Sequence, residues 1–263
     1  MNYEERTYRK WIKHDDLTVV RVAEGETDLL ISGDFVCVGR SNATIVNSID
    51  EHKANNIDLK EKAITPVKQY RRDIKQYIAR NHKFQTSLSP IDVEDDAPEI
   101  VKEMAAAAQK AGVGPMAAVA GAIAEFVGKD LLKFSEQIIV ENGGDIFIKT
   151  SKQRKLGIYA GNSPFTGKMA LAVEADQTPL GICTSSGTVG HSLSFGKADA
   201  VIIFSKSTSL ADAVATATGN IVSRPDDIEK GIEFVKSIDG VEGIVIIVGS
   251  SCGAWGKVTM VKA

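Results

Sequence analysis

The sequence predicts an α+β protein with a mostly antiparallel sheet, and three observations carry that expectation. Short apolar runs follow one another from 137 to 184, broken by glycine-bearing turns, which is the pattern of a strand meander. Helical patterns gather on either side of that run and do not alternate with its strands, so grouped helices are expected in place of a doubly wound parallel sheet. Glycines outnumber prolines by 23 to 7, which suits turns that draw on glycine's backbone freedom. The 263 residues are read as one domain over 1–263, with two tightly packed lobes as the alternative, and the length allows a substantial core.

Taken in order, two short strands are expected at 18–22 and 27–31, then a loop through 41–56 and a charged helix to about 81. On that helix Lys68, Arg71, Arg72 and Lys75 share one side and Tyr70, Ile74, Tyr77 and Ile78 the other, as in a solvated amphipathic helix; a phosphate or acidic-partner site is the alternative. The acidic run Glu94, Asp95, Asp96 marks a break, and Pro98 suits the start of a helix over 99–111. Small residues dominate 112–128, predicting a helix that other backbone approaches closely; its Gly-x-Gly opening lacks the preceding strand of a dinucleotide fingerprint. Strands follow at 137–140, 145–149, 156–160, 169–173, 180–184 and 200–204, helices at 210–222 and 225–238, and final strands at 243–248 and 257–261. The segment 249–257 resembles a phosphate loop superficially, but Ser251 and Val258 occupy two of its defining positions, so it is read as a hairpin connection.

Composition narrows the function classes. A formal charge of -3 argues against nucleic-acid or anionic-membrane partners, which favour a basic surplus. Cys37, Cys183 and Cys252 are odd in number and never form Cys-x-x-Cys, as expected in a reducing compartment; with no signal-like start or apolar span, a cytoplasmic location is expected.

Four segments concentrate chemistry. Glu141, Asn142, Gly143, Gly144 and Asp145 read either as a glycine β-turn or as a ligand-binding turn offering a carboxylate and an amide. Thr184, Ser185, Ser186 and Gly187, with His191, Ser192 and Lys197 beyond, supply hydroxyls, backbone N–H groups and cationic groups suited to an anion such as pyrophosphate; a polar loop is the alternative. Ser186, His191 and Asp199 have the residue types of a hydrolase triad but no Gly-x-Ser-x-Gly elbow. Asp212 and Thr216, four apart on a helix, share a face and offer a carboxylate and a hydroxyl to a hard cation; equally, Ser209 and Asp212 fit a helix-start cap. Cys183 is either a buried hydrophobe or a thiolate activated by Lys197 or His191.

Together ENGGDI at 141–146, TSSG at 184–187 with His191, and ADAVAT at 211–216 resemble, in order and spacing, the ApbE enzymes, which use FAD and magnesium to transfer FMN to a threonine of a target protein. The longer strings GPMAAVAGAIAE at 114–125 and TSSGTVGHSLSFGKADA at 184–200 resemble the ApbE-like protein family of archaea and anaerobic bacteria. The first resemblance implies a T-fold-related scaffold, Asp212 and Thr216 as magnesium ligands, and FAD or another flavin nucleotide as the bound partner. The second implies an anionic small molecule as ligand and a part in sulfide assimilation with no defined reaction, in which Cys183 and His191 would act. The chain departs from ApbE where the small-residue helix at 116–125 replaces a Lys-Gly-Tyr-Ala-Val-Asp stretch, and where Ser192 and Leu193 follow His191.

Overall fold

The computed structural model describes Arg9 and residues 16–35, 48–189 and 195–263, with side chains of the first long helix from Leu59 onward. Its centre is an eight-stranded sheet in which every neighbouring pair is antiparallel. The strands are β1 (Thr18–Glu24), β2 (Thr27–Gly33), β3 (Ile138–Asn142), β4 (Asp145–Lys149), β7 (Leu180–Ser185), β8 (Ala200–Ser205), β9 (Val241–Val248) and β10 (Ser251–Gly256), in that spatial order. A separate three-stranded sheet has β6 (Met169–Val173) between β5 (Arg154–Gly157) and β11 (Thr259–Lys262). The expected α+β class with a mostly antiparallel sheet and grouped helices is what forms.

Both faces of the large sheet are covered. Ile138, Val140, Phe147, Cys183, Val201, Ile203, Ile244 and Ile246 face a core shared with the helices, while Ile139, Ile148, Ile182, Ile202, Val245 and Ile247 face a second core under the small sheet. Alternate residues of one strand enter different cores, so the strands are buried throughout instead of alternating apolar and polar.

The helices are α1 (Ser48–Arg80), α2 (Lys83–Thr86), α3 (Glu99–Ala111), α4 (Val119–Leu131), α5 (Thr208–Ile221) and α6 (Ile228–Lys236). Helix α1 begins inside the span expected to be loop. It tolerates Pro66, at a local cost of about 3 kcal/mol, because Leu59, Val67, Ile74 and Tyr77 on its inner face are almost fully buried. Each such side chain contributes about 1.5–3 kcal/mol. Arg71 departs from the expected solvated face: it is buried against the β1–β2 hairpin, where Nη1 donates to Thr27 Oγ1 at 2.5 Å and Nη2 pairs with Glu26, while Lys68, Arg72 and Lys75 stay exposed. Helix α3 begins directly after Pro98 and ends on Gly112, whose φ of 70° is left-handed, as a glycine C-cap favours. Among the described residues no single helix is long and apolar enough to cross a membrane; the one bent pair that passes by composition, Glu99–Ala111 with Pro115–Leu131, turns by 105°.

Residues 249–257, expected as a hairpin connection to a strand at 257–261, are instead mostly strand themselves, and the last strand, β11, joins the small sheet. Gly249 turns the chain at a φ of 59°, Ser251 already pairs with Val248, and β10 continues to Gly256.

Candidate cation and ligand site

The glycine turn after β3 separates its two acids. Asn142 pairs with Asp145, so Gly143 and Gly144 are the two central residues of a tight hairpin, at φ 70° and 105°. Positive φ at both positions is the requirement of the type I′ turn that glycine satisfies without strain. Side chains alternate along strands, so Asn142 and Asp145 point to the helix side with Val140 and Phe147, while Glu141 and its partner Ile146 point to the other. Asn142 Nδ2 accordingly donates to the Ala120 carbonyl of α4 at 3.0 Å.

On the helix side, α4 and α5 cover each other's N-termini. Asp212 Oδ2, from the second turn of α5, accepts the Gly121 N–H in the first turn of α4 at 2.8 Å. Glu125 of α4 in return accepts the N–H groups of Thr208 and Ser209 at 2.7 and 3.2 Å and pairs with Lys129 at 2.6 Å. Both carboxylates meet N–H groups that a helix leaves unpaired, at the positive end of its dipole. The close approach depends on Gly121, where a Cβ would lie 2.4 Å from the Thr208 carbonyl and 2.8 Å from Asp212 Cβ. Helix α5 is capped by Ser207, whose side chain accepts from Leu210 N, so the cap expected from Ser209 and Asp212 is displaced by two residues and Asp212 is left to the site.

Asp145, Asp212 and Cys183 converge here from β4, α5 and β7. Asp145 is buried, and its Oδ1 has no hydrogen-bond partner. Burial raises its carboxyl well above the carboxylate range, and the neighbouring Asp212 charge adds to the shift, opposed by the Cys183 thiol. Burial likewise lifts Asp212 to about 7, against the pull of the Gly121 and Ala120 N–H groups. Among the described residues neither carboxylate is paired with a lysine or arginine. Asp145 is buried and Asp212 part-buried, and two acids close enough to repel one another hold a proton between them or recruit a cation.

Cys183 is fully buried and donates its thiol to the Thr208 carbonyl at 3.3 Å. Burial, then the charges of Asp145 and Asp212, push its pKa well upward, the reverse of the activation sought from Lys197 or His191.

The donor set fits a hard divalent cation. Although Asp145, Asp212 and Cys183 approach one another, no three His, Cys, Asp or Glu among the described residues are arranged to hold a metal ion of any kind, so a cation here would have to rely on fewer protein ligands. Two carboxylates, one with an orphaned buried oxygen, and the partly buried Thr216 hydroxyl one turn beyond Asp212 suit magnesium, which takes few protein ligands and completes its octahedron with water and phosphate oxygens.

The remaining expected residues lie around this centre or away from it. Thr184 is beside the turn, 3.7 Å from its carbonyl oxygen to where a Gly144 Cβ would stand, and Ser185 ends β7, buried. Ser186 Oγ accepts from Thr188 N and Val189 N at 3.1 and 3.0 Å, closing its own turn. Gly187 pairs with Ala198, and Lys197, exposed, donates its backbone N–H to Val222, past the C-terminal end of α5. That end is roughly 15 Å along the helix from Asp212, at 1.5 Å per residue. His191, Ser192 and Cys37 lie outside the described residues. The close backbone approach expected of the 112–128 helix occurs at Gly121, while sequence reasoning missed Glu125 and Arg9; an isolated glutamate in a small-residue helix was the available signal for Glu125, whereas long-range packing alone reveals Arg9.

Across the sheet, Glu141 is 1% exposed, with Oε1 accepting Gly144 N at 2.8 Å and Oε2 accepting Arg9 Nε at 2.6 Å. Arg9 also donates to the Asp28 side chain and carbonyl at 3.2 and 2.7 Å, and Arg21 pairs with Asp28 at 2.6 Å. On this face the acids are neutralised by arginines.

A large antiparallel sheet with helices grouped on one face is the architecture of an ApbE-like protein. In fold the chain is similar to the apo crystal structure of Pseudomonas stutzeri flavinyl transferase ApbE, with a TM-score of 0.51 and 13% identity over 93% of this chain and 94% of that one. The family model described as AbpE bacteria matches residues 9–235, and the chain belongs to that family. Its relatives include a UPF0280 protein of Methanococcus aeolicus, 44% identical over 220 residues covering 81% of this chain and 87% of the relative. Another, from Methanocaldococcus jannaschii, is 45% identical over 203 residues, covering 75% and 82%.

Proposed function

We propose that the protein binds a flavin nucleotide through a divalent cation, as a magnesium-dependent flavin transferase whose substrate is FAD. The observation that carries this reading is the buried, unpartnered Asp145 Oδ1 beside Asp212, a pair that charge balance leaves open to a cation. Asp145, Asp212 and Thr216 would hold magnesium, which when bound neutralises the charge of a pyrophosphate. Asp212 is oriented by the Gly121 N–H, and Asn142 fixes the start of α4 through the Ala120 carbonyl, so the rim of the site is set before ligand arrives. Gly121 lets α4 and α5 approach closely enough for Asp212 to reach that N–H. The similar fold of a flavinyl transferase supports flavin as the ligand class, and the reaction class that positioning and charge neutralisation would serve is transfer of FMN from FAD to a hydroxyl of a partner protein, the new oxygen–phosphorus bond forming as the pyrophosphate bond breaks and AMP leaves.

Native mass spectrometry and absorbance of the purified protein, followed by FAD titration with and without magnesium, test this. Binding that requires magnesium is expected, and no FAD binding under either condition overturns the reading. FAD binding without FMN transfer to any acceptor would instead favour a non-catalytic ligand-binding protein. A sulfide-assimilation role acting through Cys183 has weaker support, because its protonated, buried thiol is unsuited to nucleophilic or carrier chemistry. Sulfide-dependent growth unaffected by Cys183→Ser is the expected result, and impaired growth would restore that residue to the mechanism.

A further inference from the structure

We infer that Arg9 is a positioning residue for the cation site, acting from the opposite face of the sheet through Glu141. This rests on the cation-site reading above and adds a residue that touches neither cation nor ligand in it.

Glu141 divides its two oxygens: one accepts the Gly144 N–H at 2.8 Å and the other accepts Arg9 Nε at 2.6 Å. Gly144 immediately precedes Asp145 and sits at φ 105°, so its amide orientation decides where the Asp145 carboxyl emerges on the helix side. Arg9 spends its other donors on Asp28, side chain and carbonyl, and thereby fastens the turn to β2. A planar guanidinium reaches both acids at once, whereas an ammonium supplies one compact charge. The chain of contacts from Arg9 to Glu141 to Gly144 N–H to Asp145 crosses the sheet, and its members are buried or nearly so, with the Arg9 side chain 10% exposed.

Positioning and simple electrostatics predict opposite signs. Removing a positive charge near buried carboxylates should by itself tighten cation binding. Loss of positioning should weaken it.

The test compares Arg9→Met, Arg9→Lys and Arg21→Met with the full-length wild type, using Mn2+ affinity by electron paramagnetic resonance and amide exchange at Gly144 in the metal-free protein. Arg21 grips the same Asp28 carboxylate and serves as the charge control. Arg9→Met is expected to weaken Mn2+ binding about tenfold and to speed Gly144 exchange about tenfold, by opening the turn locally. Arg9→Lys should restore part of both, and Arg21→Met should change each by less than about twofold. Unchanged Gly144 exchange overturns the inference, and so does Mn2+ binding that stays level or tightens. If Arg9→Met fails to fold, Arg9→Lys decides: intermediate values support the role and wild-type values overturn it. Wild-type protein that binds no Mn2+ defeats the cation-site reading, while the exchange comparison still decides whether Arg9 holds the turn.

Discussion

The two faces of the glycine hairpin treat their acids differently. Under the small-sheet side, Glu141 and Asp28 are held by Arg9 and Arg21, with charge balanced by charge. On the helix side, four residues after Glu141, Asp145 is also buried yet leaves an oxygen without a partner beside a second carboxylate. On one face of the turn the acids are held by arginines; on the other, Asp145 and Asp212 have no lysine or arginine partner among the described residues, and the proposed cation would supply the missing charge. The difference teaches that burial with uncompensated charge points to a candidate site more strongly than burial alone.

The sharpest way to break this comparison is to remove one acid from each face. Asp28→Ala removes the carboxylate that Arg9 and Arg21 share, Arg9 keeping Glu141, and should destabilise the protein by about 3 kcal/mol, roughly 10 °C in midpoint. Asp145→Asn in the cation-free protein should stay within about 1 kcal/mol of wild type, because burial already favours the neutral carboxyl and asparagine replaces it by another neutral polar group. Thermal melts of both variants in a chelating buffer read this directly; a loss at both positions would mean the helix-side acids are structural.

A smaller effect separates the faces by pH. Asp212 has a pKa raised to about 7 from the ordinary 3.8, chiefly by burial. A carboxyl that holds its proton more tightly when folded contributes stability that is fully present below about 4 and is lost as pH rises through about 7. Cation-free protein should therefore melt lower at pH 8 than at pH 5 on this account, and the midpoint gain from added magnesium should be larger at pH 8. Elsewhere in the molecule the direction reverses for a paired acid, Asp16, which Arg154 and Lys152 hold well below the carboxylate range: its contribution is present above about 4 and lost as pH falls. Scanning calorimetry at both pH values, with and without magnesium, checks the contrast, and a magnesium gain larger at pH 5 would contradict it.

Much of this organisation was legible in the sequence. Pro98 placed the start of α3, and the bounds of β4 and β6 were fixed by apolar runs between turn residues. Period-two reasoning on Asn142 and Asp145 across two glycines also separates Glu141 from Asp145, once the turn is taken as a two-residue hairpin. Strand β10 was not legible as a strand, because Gly253 and Gly256 look like turn residues; they are tolerated since Gly253 lies against Ile228 of α6 and Gly256 turns at φ 86°. The convergence of Asp145, Cys183 and Asp212 was legible as three candidate segments only, since their meeting depends on strand pairing and on the contact at Gly121. Arg71 misled because a helix's charged stripe was read without the hairpin that lands on it.

The smallest expected effect concerns Cys183. A thiol reagent should modify exposed Cys252 in the native protein and leave Cys183 untouched until unfolding, as followed by mass spectrometry of the labelled peptides. Rapid native labelling of Cys183 would return it to the candidate chemistry.

The central claim, that the helix-side acids hold a divalent cation presenting a flavin nucleotide, is tested most directly by calorimetric titration of FAD into wild type and Asp212→Asn, with and without magnesium. Asparagine keeps an acceptor for the Gly121 N–H, so the cap on α4 survives while the charge is lost. The account predicts magnesium-dependent binding that falls by about a hundredfold, roughly 2.7 kcal/mol, in Asp212→Asn; FAD affinity indifferent to magnesium and to the substitution would contradict it.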